Sequence, residues 1–429
     1  MARLLIKNGR VMDPASSLDR VADVLIEGDK IVGIDENTDA AGAAVIDAAG
    51  LIVAPGFIDM HVHLREPGFE HAETIETGSR AAAAGGFTSV CAMPNTAPIN
   101  DDATVTRYIV ERARRYAVVN VFPIGAITKG SAGKELAAIG SMKEAGIVAI
   151  SDDGRPVMNA RVMRRAMEFA REFSLPVIDH CEDLNLSAGG DMHEGFQSVR
   201  LGLGGIPACS EEVIVARDIL LAELTGARFH VAHISARNSV RMVAAAKSRG
   251  LKVTCEATPH HIALSDSDMI PYDSNYKMKP PLRSACDVSA VVEGIVSGTV
   301  DVIATDHAPH AGSEKMQEFE KCPFGITGLE TAIGVVLEHL VHTGKIGISK
   351  MIEMFTVKPA SIVGLKGRGT LAPGSFADVT IIDPELTWTF DANQSCSKSR
   401  NTPFDGHTFR GGAVMTVVNG NCAWRRDIA

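Results

Sequence analysis

The sequence carries no Cys-x-x-Cys pair, no run of about 18 apolar residues and no surplus of basic residues. Its eight cysteines (91, 181, 209, 255, 286, 322, 396 and 422) are scattered along 429 residues. That scatter disfavours a disulfide framework and fits reduced, mostly buried thiols. The opening stretch MARLLIKNGRVMDP meets Lys7, Asn8 and Arg10 before an apolar core of signal-peptide length accumulates. Neither export nor a membrane span is therefore expected, and a soluble, cytoplasmic chain is. With 42 Lys and Arg against 52 Asp and Glu, the formal net charge is -10. A surface built for nucleic acid or anionic lipid would need the opposite balance.

What is present is ample apolar material, 45% of all residues, for a large core, arranged in two textures. Short strand-like pieces separated by Gly, Asp and Asn turns open the chain (RLLIKNGRVMD, ADVLIEGDKIVGI, AAVIDAAGLIVAPG) and return near its end (FADVTIID, GAVMTVVNGNCAW). Between them, eight apolar runs (FIDMHVH, FTSVCAMPN, VNVFPIGAIT, GIVAISDD, PVIDHC, FHVAHIS, VTCEATPHH, VDVIATDH) alternate with amphipathic, helix-length segments such as TVTRYIVERARR and SEEVIVARDILLAELTG. Eight strand-and-helix units over about 310 residues suit a (β/α)8 TIM barrel, typically about 250 residues before insertions. The α/β fold expected is such a barrel over residues 55–365, with a small β-sandwich domain built from both termini, residues 1–54 plus 366–429. An open doubly wound sheet is the alternative.

The stretch PGFIDMHVHLREPG focuses the functional question. On a regular strand Asp59, His61 and His63 share one face. A polar face on an otherwise buried strand needs a partner, because an unpaired buried polar group costs about 1–3 kcal/mol. A metal ion satisfies two imidazoles at that spacing, and two hydrogen-bonded core histidines are the plainer option. Polar residues also end other runs: Asp152 and Asp153 the fourth, His180 the fifth, His233 the sixth, Asp306 and His307 the eighth. The carboxyl ends of barrel strands are where active sites form. Four imidazoles and two carboxylates there make enough N/O ligands for two divalent cations; zinc comes first, with manganese, cobalt and iron open. Two such cations would yield a nucleophile from water and polarise a carbonyl, which suits amide hydrolysis. Asp306 is placed to carry the proton to the leaving nitrogen. Spacing does not choose between Asp152 and Asp153. Cys181, beside His180, is expected to pack in the core.

Read in order, PGFIDMHVHLREPG, CAMPNT, SDDG, DHCED, HVAHIS, TPHH, KPPLR and ATDHAPH closely resemble the bacterial dihydroorotases of the amidohydrolase superfamily. The resemblance implies reversible cyclisation of N-carbamoyl-L-aspartate to dihydroorotate, the third step of pyrimidine synthesis. It implies one zinc on His61, His63 and Asp306, another on His180 and His233, and Asp153 as the bridging carboxylate, with Asp306 as general acid and base. For the substrate it implies Arg65 on a carboxylate, as a bidentate fork suits, with His63, Asn95 and His310 beside it and Phe324 and Gly325 closing over the ring. One departure is Lys279, where many relatives have asparagine before Pro-Pro-Leu-Arg. His260 and His261 are expected to support rather than ligate.

Residues 311–323, AGSEKMQEFEKCP, are too charged for core and read as a lid with Gly312 and Gly325 as hinges, or as a solvated connection. The nearest rival activity is that of a dihydropyrimidinase or hydantoinase, relatives that use a carboxylated lysine where GIVAISDDG offers aspartate; allantoinase is disfavoured likewise. A rival of another kind is a silent homologue acting as scaffold for aspartate carbamoyltransferase, which the full ligand set opposes. A homodimer and association with that transferase are compatible with the resemblance.

Overall fold

The computed structural model describes residues 3–427; residues 1, 2, 428 and 429, the ends of the terminal division expected above, lie outside the described residues. Five strands open the chain: β1 (Arg3–Asp13), β2 (Leu18–Glu27), β3 (Lys30–Asp35), β4 (Ala44–Asp47) and β5 (Ile52–Pro55). The middle contributes β6 (Phe57–Val62), β7 (Phe87–Ala92), β8 (Asn120–Pro123), β9 (Val177–Asp179), the two-residue pair β10 (Met192–His193) and β11 (Gly205–Ile206), β12 (Phe229–Val231), β13 (Val253–Ala257) and β14 (Val302–Ile303). Then come β15 (Val379–Thr389), β16 (Thr408–Val418) and β17 (Asn421–Arg425).

Both termini enter one sheet, in the order β17-β16-β15-β5-β1-β2-β3, with β4 beside β1. It is held at its centre by the antiparallel pairing of β15 with β5, so the two ends of the sequence meet as their shared texture suggested. Ile6, Val24, Val53, Val379 and Val417 bury their side chains in one cluster of this sheet.

The middle strands pair only in parallel, β6-β7-β8 and β9-β12-β13-β14. Parallel neighbours need crossovers, and helices supply them. Ala103–Tyr116 starts at Asp102, whose carboxylate accepts from Thr104 N and Val105 N. Cys209–Thr225 stops at Gly226, whose φ of 68° suits glycine. The fourth expected strand shrinks to Ile150, which bridges Gly125 on one side and Val177 on the other. The reason is local: the Asp152 carboxylate accepts from Ile127 N and Thr128 N, taking the place a ladder carbonyl would have. Likewise the strand expected to run through His260 and His261 ends at Ala257, because Thr258 caps the short helix Pro259–Ala263 with proline at its first position.

A further difference concerns strand alternation. The β6–β7 register shifts between Asp59 and Val62, so the strict two-residue period expected for Asp59, His61 and His63 is broken. Asp59 does not join the histidines. Its Oδ1 accepts from His61 N and Thr305 N.

Outside the parallel strands lies the main core. Phe57 is fully buried and stacks on Phe355 at 5.0 Å between ring centroids, with Phe87 edge-on to both. Phe57→Ala is expected to lower the unfolding free energy of the chelator-treated protein by about 3–5 kcal/mol in urea titrations. A loss under about 1 kcal/mol would show that this ring cluster does not anchor the strand that carries the histidines.

Candidate metal centre

His61 is fully buried. Its Nδ1–H donates to Glu256 Oε1 at 2.6 Å, which turns Nε2, without a hydrogen-bond partner, to 3.4 Å from Oδ1 of both Asp153 and Asp306. His63 donates from Nδ1 to Asn95 Oδ1 (2.9 Å) and turns Nε2 toward Asp306 Oδ1 (3.0 Å) and Asp153 Oδ2 (3.5 Å). His180, just after β9, donates from Nε2 to Glu182 Oε2 (2.9 Å), so its Nδ1 faces His233 Nε2 at 2.8 Å and Asp153 Oδ1 at 3.7 Å. His233 Nε2 stands 3.7 Å from the same Asp153 oxygen. The structure thus brings together all six side chains proposed as ligands from the sequence. They form three overlapping groups: His61, His233 and Asp306; His61, His63 and Asp153; Asp153, His180 and His233.

The neighbouring aspartates separate by geometry. Asp152 faces away, bonded to Ile127 N, Thr128 N and the Thr128 hydroxyl. Asp153 faces the imidazoles, and its Oδ1 has no hydrogen-bond partner.

Electrostatics tests whether a cation fits. Burial alone would lower the pKa of His61, but Asp306, Glu256 and Asp153 outweigh it and raise it well above the ordinary value. Burial alone would raise Asp153, and the charged imidazoles around it, His61 first, drive it well below the carboxylate range instead. A field that holds a proton on a buried imidazole will hold a cation in its place. His61 Nε2 and Asp153 Oδ1, both buried and without a hydrogen-bond partner, are the donors such an ion takes. The residues fit a metal.

Three residues of the site hold left-handed backbone: Arg65 (φ 60°), His233 (φ 30°) and Asp306 (φ 47°). Such conformations cost non-glycine residues of order 1–3 kcal/mol and cluster where function over-determines them. Each lies just past a strand end, where the chain must turn while the side chain still points inward.

Beside the cluster opens a cavity of about 350 Å3 lined by His63, Arg65, Asn95, Asp153, His180, His233, Lys279, Asp306, His310 and Phe324 among others. Arg65 is anchored through Nε to Pro309 O (3.1 Å), with Nη2 3.3 Å from His310 Nε2. Burial, then the nearby guanidinium of Arg65, pushes His310 down to about 3. It is neutral, and its Nε2–H donates to Phe324 O (2.8 Å). Gly325 packs against the His310 ring, where a Cβ would collide with it; its N–H donates to Lys277 O and its carbonyl accepts from Lys315 Nζ and Asn401 Nδ2. Lys279 turns inward, its Nζ 2.6 Å from Glu182 Oε1.

Residues 311–323, expected to be too charged for core and to serve as a lid or a solvated connection, are partly buried. Lys315, Phe319 and Cys322 are buried. Lys315 Nζ donates to the carbonyls of Pro323 (2.9 Å) and Gly325 (3.1 Å), and Lys277 Nζ to those of Phe319 (2.5 Å) and Glu320 (3.1 Å). Two ammonium groups thus tie the segment down beside the cavity. His261 is tied to Thr258 Oγ1 and Pro280 O. Cys181 is buried with Asp179 and Asp218, where Arg217 already binds Asp218 through Nε (2.7 Å) and Nη2 (3.0 Å). Positive charge is present there, burial pushes the thiol well up, and burial followed by the neighbouring Asp218 pushes the Asp179 carboxyl well up as well, so this cluster differs from the one around Asp153, whose carboxyl is driven down.

Sequence reasoning missed Glu256, Glu182 and His230. The available signal was a glutamate in the interior of VTCEATPHH, where a buried strand has no use for a charge unless something pairs with it.

A body of parallel strands and crossover helices carrying a histidine and carboxylate cluster beside a cavity is an amidohydrolase-type fold. Its structural likeness agrees: the L-hydantoinase (dihydropyrimidinase) of Arthrobacter aurescens matches with a TM-score of 0.88 at 26% identity, over 100% of this chain and 98% of that one. The dihydropyrimidinase of Brevibacillus agri matches with a TM-score of 0.86 at 25% identity, over 99% of this chain and 95% of that one. Within that class, a family profile described as Dihydro-orotase-like matches residues 50–239. The dihydroorotase of Solibacter usitatus is 68% identical over 99% of this chain and 98% of its own length, and that of Pelotomaculum thermopropionicum is 54% identical over 97% of each. The chain belongs to the dihydroorotase family.

The two aspartates give a direct comparison. Asp153→Asn is expected to lose bound cation in elemental analysis of the purified protein. Asp152→Asn should keep it while unfolding about 1–3 kcal/mol more easily, because a buried acceptor set is spoiled. The reverse pattern would reassign the two residues.

Proposed function

We propose that the chain is a zinc-dependent dihydroorotase that opens dihydroorotate to N-carbamoyl-L-aspartate and, in reverse, closes the ring in pyrimidine synthesis. The observation that carries this is one carboxylate, Asp153, its Oδ1 without a hydrogen-bond partner, facing four imidazoles at the wall of a cavity that also holds a half-buried arginine. Two zinc ions per chain are proposed, held by His61, His63 and Asp306 and by His180 and His233, with Asp153 shared, since four imidazoles and two carboxylates suit that metal. When bound, such cations lower the pKa of a nearby water and polarise a carbonyl.

The chain's own residues supply the rest. Burial would raise the carboxyl of Asp306, but His61 and His63 outweigh it and hold the group below its ordinary range. It therefore meets substrate ionised, able to take the proton of the attacking water and return it to the ring nitrogen as the amide bond breaks. Arg65, its Nε committed to Pro309 O, offers a guanidinium to the substrate carboxylate. Asn95 holds the His63 ring, and Phe324 forms a wall over the cavity.

The barrel belongs to this reading as well. Parallel pairings run from β6 to β8, through the Gly125, Ile150 and Val177 bridges to β9, on through β12 and β13 to β14, and the Val62–His307 bridge returns to β6. Met60, Cys91, Ile124, Ala149, Ile178, Ala232 and Val302 share one cluster, as inward residues of a closed (β/α)8 barrel would. The proposed division is a barrel over residues 55–365 and a β-sandwich from 1–54 plus 366–429, whose two halves meet in the cluster around Val24 and Val379. Among the described residues no helix is long and apolar enough to cross a membrane, in keeping with a cytoplasmic enzyme.

The solved structures favour a second reading, a hydantoinase-like cyclic amidase. Against it stand an aspartate at the centre of the cluster and much higher identity to dihydroorotases. Turnover of dihydroorotate, dihydrouracil and hydantoin by the metal-replete protein decides. Dihydroorotate should be strongly preferred and its turnover abolished by a chelator; preference for either neutral ring would overturn the proposal. Asp306→Ala should retain the fold by circular dichroism and lose about 10²- to 10⁴-fold in kcat, and near-normal turnover would remove Asp306 from the proton path.

A further inference from the structure

Behind the six candidate ligands lies a carboxylate that touches no substrate space. Glu256, on β13, is fully buried. Its Oε1 accepts from His61 Nδ1 at 2.6 Å and from the His233 backbone N–H at 3.3 Å; its Oε2 accepts from His230 Nε2 at 3.1 Å. His230 is fixed in turn, with Nδ1 2.8 Å from Thr254 Oγ1. A chain of contacts from Thr254 through His230 and Glu256 to His61 thus enters the cluster from three strands.

We infer that Glu256 is a positioning residue for the metal centre: it fixes the tautomer and orientation of His61, so that Nε2 is the bare nitrogen offered to the cation, and His230 holds Glu256 in place. The inference rests on the reading of the cluster as a cation site. Two physical effects follow. A carboxylate accepting from Nδ1–H raises the electron density at Nε2, which strengthens it as a ligand. It also removes the alternative tautomer, in which Nε2 would carry the proton and repel a cation. His180 has a comparable partner in Glu182, but that carboxylate is shared with Lys279 at the cavity wall. Glu256 has no such exposed neighbour and is paired with imidazoles alone among the described side chains.

The test is cation affinity rather than turnover. Chelator-stripped wild type and Glu256→Gln, which keeps the shape and loses the charge, are titrated with zinc against a chromophoric chelator and with cobalt followed by visible absorption. Glu256→Gln is expected to bind about 10- to 100-fold more weakly with an altered cobalt spectrum, while KM for dihydroorotate at saturating zinc stays within about twofold. Wild-type affinity and spectrum in that variant would overturn the inference. Should Glu256→Gln fail to fold, His230→Gln carries the same comparison: weaker binding in the same direction supports the inference, and unchanged binding overturns it. Wild-type protein that takes up no cation would overturn the metal reading itself, and the inference with it.

Discussion

A carboxylate buried to the depth of Asp153, 5% exposed, must be compensated, because the penalty for an uncompensated buried ion is several kcal/mol. Four imidazoles surround it, and compensation by rings imposes a second requirement. Each ring has two nitrogens, and the one turned outward needs a partner as well, which three of the four rings find and His233, through Nδ1, does not. Glu256 takes that role for His61, Asn95 for His63 and Glu182 for His180. The glutamates are charged in turn and call for their own partners, His230 and Lys279. The charge at the centre thus sets the chemistry of residues two contacts away, and polar groups accumulate in an otherwise apolar interior.

The same demand shapes the backbone. A strand that must end with its last side chain pointing at a common centre cannot also continue its ladder, so the strands here are short and turn sharply after the functional residue. Asp306 and His233 carry that turn in left-handed conformations, and β6 carries it as a register shift beside His61. The cost is of order 1–3 kcal/mol at each left-handed residue, tolerated because packing on the outer side of the strands, around Phe57, Phe87 and Phe355, holds them in place.

Much of this was legible in the sequence because the physics is periodic. Apolar runs and amphipathic segments located most strands and helices, and β1 coincides with RLLIKNGRVMD. Five of the six clustered side chains were legible because ionisable residues at strand ends are rare without a cause, and the sixth, Asp153, was implied only by the family resemblance. What stayed hidden depends on contacts distant in sequence. Asp152 and Asp153 differ only in what they face, and Thr128 decides that from 24 residues away. The break after Ala257 was carried by one threonine and one proline, a cap rather than a period. Residues 311–323 carry too many charges to read as core, and the carbonyls that take up the Lys315 ammonium, those of Pro323 and Gly325, leave no mark in a local pattern. The bridge from Glu256 to His61 spans 195 positions, and no local pattern announces it.

The sheet built from the termini has a part in the site that its distance from the cavity conceals. β5 belongs to that sheet and β6 carries the histidines, yet one residue, Gly56, separates them. Its N–H donates to Asp378 O, and Phe57 N donates to the Thr380 hydroxyl, which in turn donates to Gly86 O. A side chain at Gly56 would collide with Thr88 and Asp378, so the junction requires glycine for space rather than for flexibility. With no slack between the two strands, the position of His61 along β6 is fixed by where β5 pairs with β1 and β15. The first and last segments of the chain therefore serve as the frame that locates the first two imidazoles, which explains physically why a hydrolytic site made in the middle of the sequence is tied at its root to both ends.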